Sequence, residues 1–216
     1  MHRRLLVLSF LFICSTAAPG NSTFVCPKNQ WLIRNVLRAV GVSGVDQIDI
    51  ASRAWGGAGA SIRFFPWRVS LVVNEEWFNS LGDGGKCFVI GHEAGHLKRC
   101  HGQKMLAAVM AGAPIVGWAF FKGSIKGGIA ALAGWLSFLS WYSQRMEMEA
   151  DGYAARTPEV ARAGVNVMRI CQRYTQEERP SFMRRIDRVL YAFSHPPFER
   201  RIKALESFAY KPMKAN

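Results

Sequence analysis

Acidic residues are scarce in this chain. Aspartate and glutamate together number 15 against 28 lysines and arginines, a formal charge of +13. Such an excess fits arginine-rich helix faces in water, an anionic membrane surface or a nucleic acid. No nucleic-acid motif accompanies it, whereas strong apolar segments do. The membrane surface is therefore the favoured partner, and nucleic acid is not one. Cysteine is sparse too. There are 5, and none forms a C-x-x-C pair, which argues against a cysteine-ligated zinc. Internal repeats and low-complexity linkers are absent, and 216 residues suffice for one domain with a real core. Half the residues are hydrophobic, which excludes a disordered protein.

The apolar content is unevenly placed. Met1-His2-Arg3-Arg4 precedes an almost wholly apolar run from Leu5 to Ile13, then Ser15-Thr16-Ala17-Ala18. A basic start, a short apolar core and small residues make residues 1–18 a secretory signal peptide, or a signal anchor if uncleaved. Cys14 falls within this segment. Cys26, Cys87, Cys100 and Cys171 remain, an even number in an exported chain. They are either bridged or buried thiols.

The stretch with the most chemistry is Gly91-His92-Glu93-Ala94-Gly95-His96, an H-E-x-x-H pattern. On a helix, residues four apart differ by about 40° of rotation, so His92 and His96 face one way. Two imidazoles so placed can share a tetrahedral zinc ion. Glu93 lies to the side, where it can act as general base on a water without taking a ligand position. His101 falls about 180° from His92 on a continuous helix, which makes it structural or exposed rather than a ligand. On that same helix Cys87 and Cys100 stand about 19 Å apart, too far to bridge. Any bridge must then involve Cys26 and Cys171.

Ahead of the motif, Trp31, Leu32, Val36, Leu37 and Val40 recur at helical spacing over 28–40. Strands are expected over 47–54, 61–65 and 69–73, with Pro66 confining the second to an edge or bulge. Asn74 caps a short helix through Trp77, and Gly82-Asp83-Gly84-Gly85 reads as a loop before a helix from Lys86. Beyond the motif, 105–121 contains no charged residue, and 129–142 is nearly as apolar. The basic, glycine-rich stretch 122–128 joins them, so about 105–142 is a hydrophobic helical hairpin. The first arm spans about 25 Å, near the lower limit for crossing a bilayer, and carries Pro114, where helices kink. The alternative to a membrane-spanning hairpin is an apolar hairpin packed in a soluble core or lying on a membrane.

A hairpin returns the chain to its starting side. There the second arm continues into Glu147-Met148-Glu149-Ala150-Asp151. Glu147 and Asp151 share a face and Glu149 points elsewhere. Glu147 could complete a His₂Glu zinc site with an open fourth position, and Asp151 could fix the tautomer of a ligand imidazole. Thr157-Pro158 starts a further helix to about 178, another is expected over 181–193, and Ser194-His195-Pro196-Pro197 leads into a last one.

Taken in order, G-H-E-A-G-H, the apolar hairpin, E-M-E-A-D and S-H-P-P-F-E-R-R-I resemble the gluzincin metallopeptidases that include the heat-shock protease HtpX and the CAAX prenyl endopeptidases. The nearest motif match is to the exported bacterial members of that family. The resemblance covers roughly residues 28–207. It implies an α+β, mainly helical zincin domain over 19–216, with a small sheet whose edge strand receives an extended peptide. It also implies one zinc per chain on His92, His96 and Glu147, with Glu93 as catalytic base. Asp151 would support the site, and His195 and Arg201 would sit beside it. Gln144 stands where the family usually has arginine, so the role of that position is open.

The sequence thus predicts a membrane-associated zinc endopeptidase, with polypeptide substrates and its catalytic domain on the exported side. The competing readings are a zinc-stabilised adaptor that does not cleave, and a free periplasmic peptidase. Retention of Glu93 argues against the adaptor, since a structural zinc site needs no base.

Overall fold

The computed structural model describes residues 27–42, 47–50, 60–65, 68–177 and 191–210. Helix α1 (Pro27–Ala39) starts with proline at its first position, where a missing N–H costs nothing. Ile33 and Leu37 are its buried apolar side chains, and Trp31, expected on that face, is 67% exposed. Gly41 ends the helix in the left-handed region, at φ +70°.

Three strands follow, β1 (Gln47–Ile50), β2 (Ala60–Phe65) and β3 (Arg68–Val73), in the order β1-β3-β2. Strand β1 runs parallel to β3 and β2 antiparallel to it, with Ile48 and Ile62 both opposite Leu71. Leu71 and Val73 are buried on one face, as a two-residue period requires. Strand β2 is an edge of this sheet and packs beside the motif helix. The expected strand residues 51–54 lie outside the described residues.

Helix α2 (Glu75–Ser80) is capped as expected, with the Trp77 amide donating to Asn74 Oδ1 at 3.2 Å. Helix α3 (Asp83–Lys98) carries the motif and begins three residues before the expected start. Gly84 and Gly85 are helical, and the later helix Pro158–Glu177 packs against both. A Cβ at either would meet Ala163 at 3.0 Å or Val167 at 3.2 Å. Close packing outweighs glycine's poor helix propensity here. Phe88, Val89, Ile90 and Ala94 bury α3 at the centre of the domain.

Helix α3 stops at Arg99 and Cys100, and Cys100 takes a left-handed conformation at φ +54°. Helix α4 (His101–Lys122) and helix α5 (Ile125–Ala154) then form an antiparallel pair, tightened where Gly112 meets Trp135 and Gly128 meets Phe120. Ser124 caps α5 by accepting from the Gly127 amide at 3.1 Å. Helix α4 runs on through Pro114 without a break. Among the described residues it is the one helix long and apolar enough to cross a membrane, with mean hydropathy 1.5. Leu106, Met110, Ile115, Trp118 and Phe121 are exposed along it.

Helix α6 (Pro158–Glu177) is capped by Thr157, whose hydroxyl accepts from the Val160 amide. It packs on α3 and on helix α7 (Phe198–Ala209). Of the helix expected over 181–193, only 191 onward is described, and 191–194 is helical. Residues 1–18 and Cys26 lie outside the described residues. Cys87 and Cys100 are free thiols.

Candidate metal centre

The site forms where α3 meets α5. Their backbones approach closely because α3 shows glycine on the touching side. A Cβ on Gly91 would lie 3.2 Å from Ala154 Cα, and one on Gly95 would lie 3.1 Å from Ala150 Cα. The two glycines that flank His92 and precede His96 therefore let Glu147 reach across.

The result is a tight triangle. His92 Nε2 lies 3.1 Å from His96 Nε2. Glu147 Oε2 is 3.5 Å from His92 Nε2, and Oε1 is 3.2 Å from His96 Nε2. One donor atom from each residue fits within 4.8 Å of the others, so the group could hold a metal ion. The chemistry fits zinc, since two imidazoles and a carboxylate make an open three-ligand set. Among the described residues no donor hydrogen-bonds the buried Glu147 Oε2, an acceptor that a cation would satisfy.

Electrostatics point the same way. Burial alone would lower the His92 imidazole, but the neighbouring Asp151 and Glu147 carboxylates outweigh this and push it up to about 10. Burial would raise the Glu147 carboxyl, yet His92 and His96 hold it well below the usual range. The pocket thus attracts positive charge.

Asp151 and Arg201 stand behind His92. Asp151 Oδ1 lies 2.9 Å from His92 Nδ1. Accepting a proton's bond there leaves the His92 Nε2 lone pair facing the triangle. Arg201 donates from Nε to Asp151 Oδ2 and from Nη2 to Oδ1, both at 2.7 Å. Its Nη1 is 3.4 Å from Glu147 Oε2. Arg201 comes from the first turn of α7, so the last helix closes the site.

Glu93 is buried on α3, close enough to feel the charges of His92, His96 and Glu147. Burial pushes its carboxyl up from the ordinary value. His195 arrives from the turn before α7, its Nε2 3.6 Å from Glu147 Oε2. Its ring stacks on Tyr191, with centroids 4.6 Å apart and 7° between planes. Ser143 and Gln144 of α5 fasten that turn. They donate to the Ser194 and Ala192 carbonyls, both at 2.8 Å. Gln144 therefore holds the strap bearing His195, while Arg145 turns to Glu149 at 3.3 Å.

All seven residues singled out from the sequence lie in or against this one site. Of the two alternatives for His101, structural or exposed, the structure shows the first. His101 is neither exposed nor remote from the histidine pair. It is 3% exposed, and its Nδ1 lies 3.0 Å from His96 Nδ1. The rotation that placed it opposite His92 assumed one continuous helix, and the chain breaks at Cys100 instead. No periodicity announces that break.

A search of curated proteins finds no match to the chain. The profile of peptidase family M48 matches residues 64–209, from β2 through α7. This chain therefore belongs to peptidase family M48, a family of zinc metallopeptidases.

Proposed function

We propose that the protein is a membrane-associated zinc endopeptidase of zincin type, an α+β domain with the apolar hairpin inserted in it. His92, His96 and Glu147 hold one zinc, and the observation that carries this reading is the convergence of their three donor atoms within 4.8 Å. Zinc, when bound, supplies a Lewis acid that acidifies water and polarises a carbonyl. Glu93 takes the proton of the attacking water and passes it to the leaving amine. Its raised pKa suits it to both halves of that transfer. Asp151 and Arg201 keep His92 in its ligating tautomer. His195 is placed to donate to the developing oxyanion.

The substrate is an extended polypeptide lying along the β2 edge, next to α3. The exposed apolar face of α4, with α5 beside it, embeds in the membrane. The catalytic domain works on the exported side, in a role such as protein quality control. The test is a metal measurement with a peptidase assay on purified protein. About one zinc per chain is expected, and Glu93→Gln should keep the metal and lose hydrolysis. Full activity in that variant would rule out the mechanism, and cleavage by neither form would favour the adaptor.

A further inference from the structure

Two ligand histidines need two orienting partners. Asp151 serves His92, and the sequence motifs supply no counterpart for His96. We propose that His101, backed by Glu149, is the positioning residue for His96. The inference rests on the reading of His92, His96 and Glu147 as the metal ligands.

The geometry leaves one hydrogen-bond pattern. His96 Nε2 faces the triangle and must keep its lone pair to ligate. Its proton is then on Nδ1, 3.0 Å from His101 Nδ1, which must accept. His101 in turn carries its proton on Nε2, and that atom faces Glu149 Oε2 at 3.6 Å. This nitrogen is buried and has no closer partner among the described residues. Glu149 is anchored from outside by Arg145 at 3.3 Å and Arg99 at 3.8 Å. A carboxylate thus stands behind each ligand histidine, directly for His92 and through a second imidazole for His96. Ring packing agrees, since His96 and His101 meet edge to face at 5.0 Å.

The backbone is bent to achieve this. Cys100 is the one non-glycine residue with positive φ among the described residues. That conformation is strained for a residue with a β-carbon and persists only where surroundings impose it. Here it breaks α3 from α4 and swings the first residue of α4 back over His96. The cost is located at the residue that delivers the imidazole.

Metal affinity, tested on full-length protein with Co²⁺ as the probe, decides the matter. The variants are His101→Leu, which keeps bulk without an acceptor, and His101→Asn, whose Oδ1 stands in for Nδ1. The leucine variant should bind Co²⁺ about 10–100-fold more weakly and alter the visible spectrum. The asparagine variant should recover most of both. Equal losses in the two variants, or wild-type affinity and spectrum in the leucine variant, would overturn the proposal. If the leucine variant does not fold, Glu149→Leu, at a partly exposed position, replaces it. It should weaken Co²⁺ several-fold, and no change would be a refutation. Wild-type protein is the control. If it binds no Co²⁺, the ligand set itself is wrong, whereas binding that ignores His101 rejects this inference alone.

Discussion

Arg201 grips Asp151 through two hydrogen bonds of 2.7 Å, and the pair is almost fully buried, at 4% and 1% exposure. Removing one partner strands the other's charge, which costs about 3–5 kcal/mol. Asp151→Asn should therefore lower the melting temperature by about 6–20 °C. It should also weaken zinc about 10–100-fold, because His92 loses its anionic partner. The double variant Asp151→Leu with Arg201→Met separates the effects. It should regain stability and not zinc affinity. Recovery of both would mean the pair has no role at the metal.

Three groups that meet at the triangle bear directly on the pH dependence of the metal-free protein. His92 has its pKa raised from 6.5 to about 10, so its contribution is full below pH 6.5 and lost as pH rises through 10. Glu147 and Asp151 are lowered from 4.5 and 3.8, so theirs is full above those values and lost on acidification. From these three groups alone the metal-free protein is most stable between about pH 4.5 and 6.5, while His101, lowered to about 4, penalises the acid half of that window and Glu93, raised, the upper half. Zinc must displace the His92 proton, so its affinity should rise roughly tenfold per pH unit up to about 10. Chelator competition across pH measures this, and a flat profile would contradict it.

Gly95 offers a packing test. Alanine improves helix propensity by about 1 kcal/mol, but overpacking costs about 1–3 kcal/mol. The atoms it meets, Ala150 Cα at 3.1 Å and Tyr153 Cβ at 3.1 Å, belong to the neighbouring helix and cannot swing aside. Gly95→Ala should destabilise the protein and loosen zinc together, because α5 carries Glu147. Stability and zinc content equal to wild type would show that α5 is free to move.

What the sequence revealed followed the local rules. His92 and His96 were legible because a single helix turn relates them, and Glu147 and Asp151 for the same reason on α5. Arg201 and His195 were reached only by resemblance, since a salt bridge across 50 residues leaves no periodic trace. Gly84 and Gly85 read as a loop by composition, and nothing local announces that α6 packs against them. The closeness of His101 to His96 was not legible, because rotation cannot be counted across the break at Cys100.

The apolar arms predict membrane retention. Residues 105–121 lack charge, and Phe121 and Ile125 at the tip are 78% and 76% exposed beside Lys122 and Lys126. So large an exposed apolar surface is unusual for a soluble monomer. The protein should stay in the membrane pellet through alkaline extraction. A reporter fused at residue 216 should be active on the exported side, with the lysine tip cytoplasmic. Release into the supernatant would favour the free periplasmic peptidase.

His195 is the residue whose role depends on one proton. Its Nδ1 lies 2.7 Å from Ser194 Oγ, and that hydroxyl also lies 3.4 Å from the Tyr191 carbonyl. The serine can donate to the ring, leaving the proton on Nε2, or accept from it, leaving a lone pair there. The first makes His195 a donor to an oxyanion, and the second makes it a fourth ligand that blocks the site. Nε2 faces Glu147 Oε2 at 3.6 Å, and an N–H is attracted to a carboxylate where a lone pair is repelled. The shorter of the serine's two bonds is also the one to the ring. The donor tautomer is therefore expected, stabilising the transition state by about 3–4 kcal/mol. His195→Ala should lower kcat by about 10²–10³-fold with zinc content unchanged. A rise in activity would reveal the blocking ligand instead. Unchanged kinetics and zinc affinity would leave the imidazole a structural part of the strap that Ser143 and Gln144 hold.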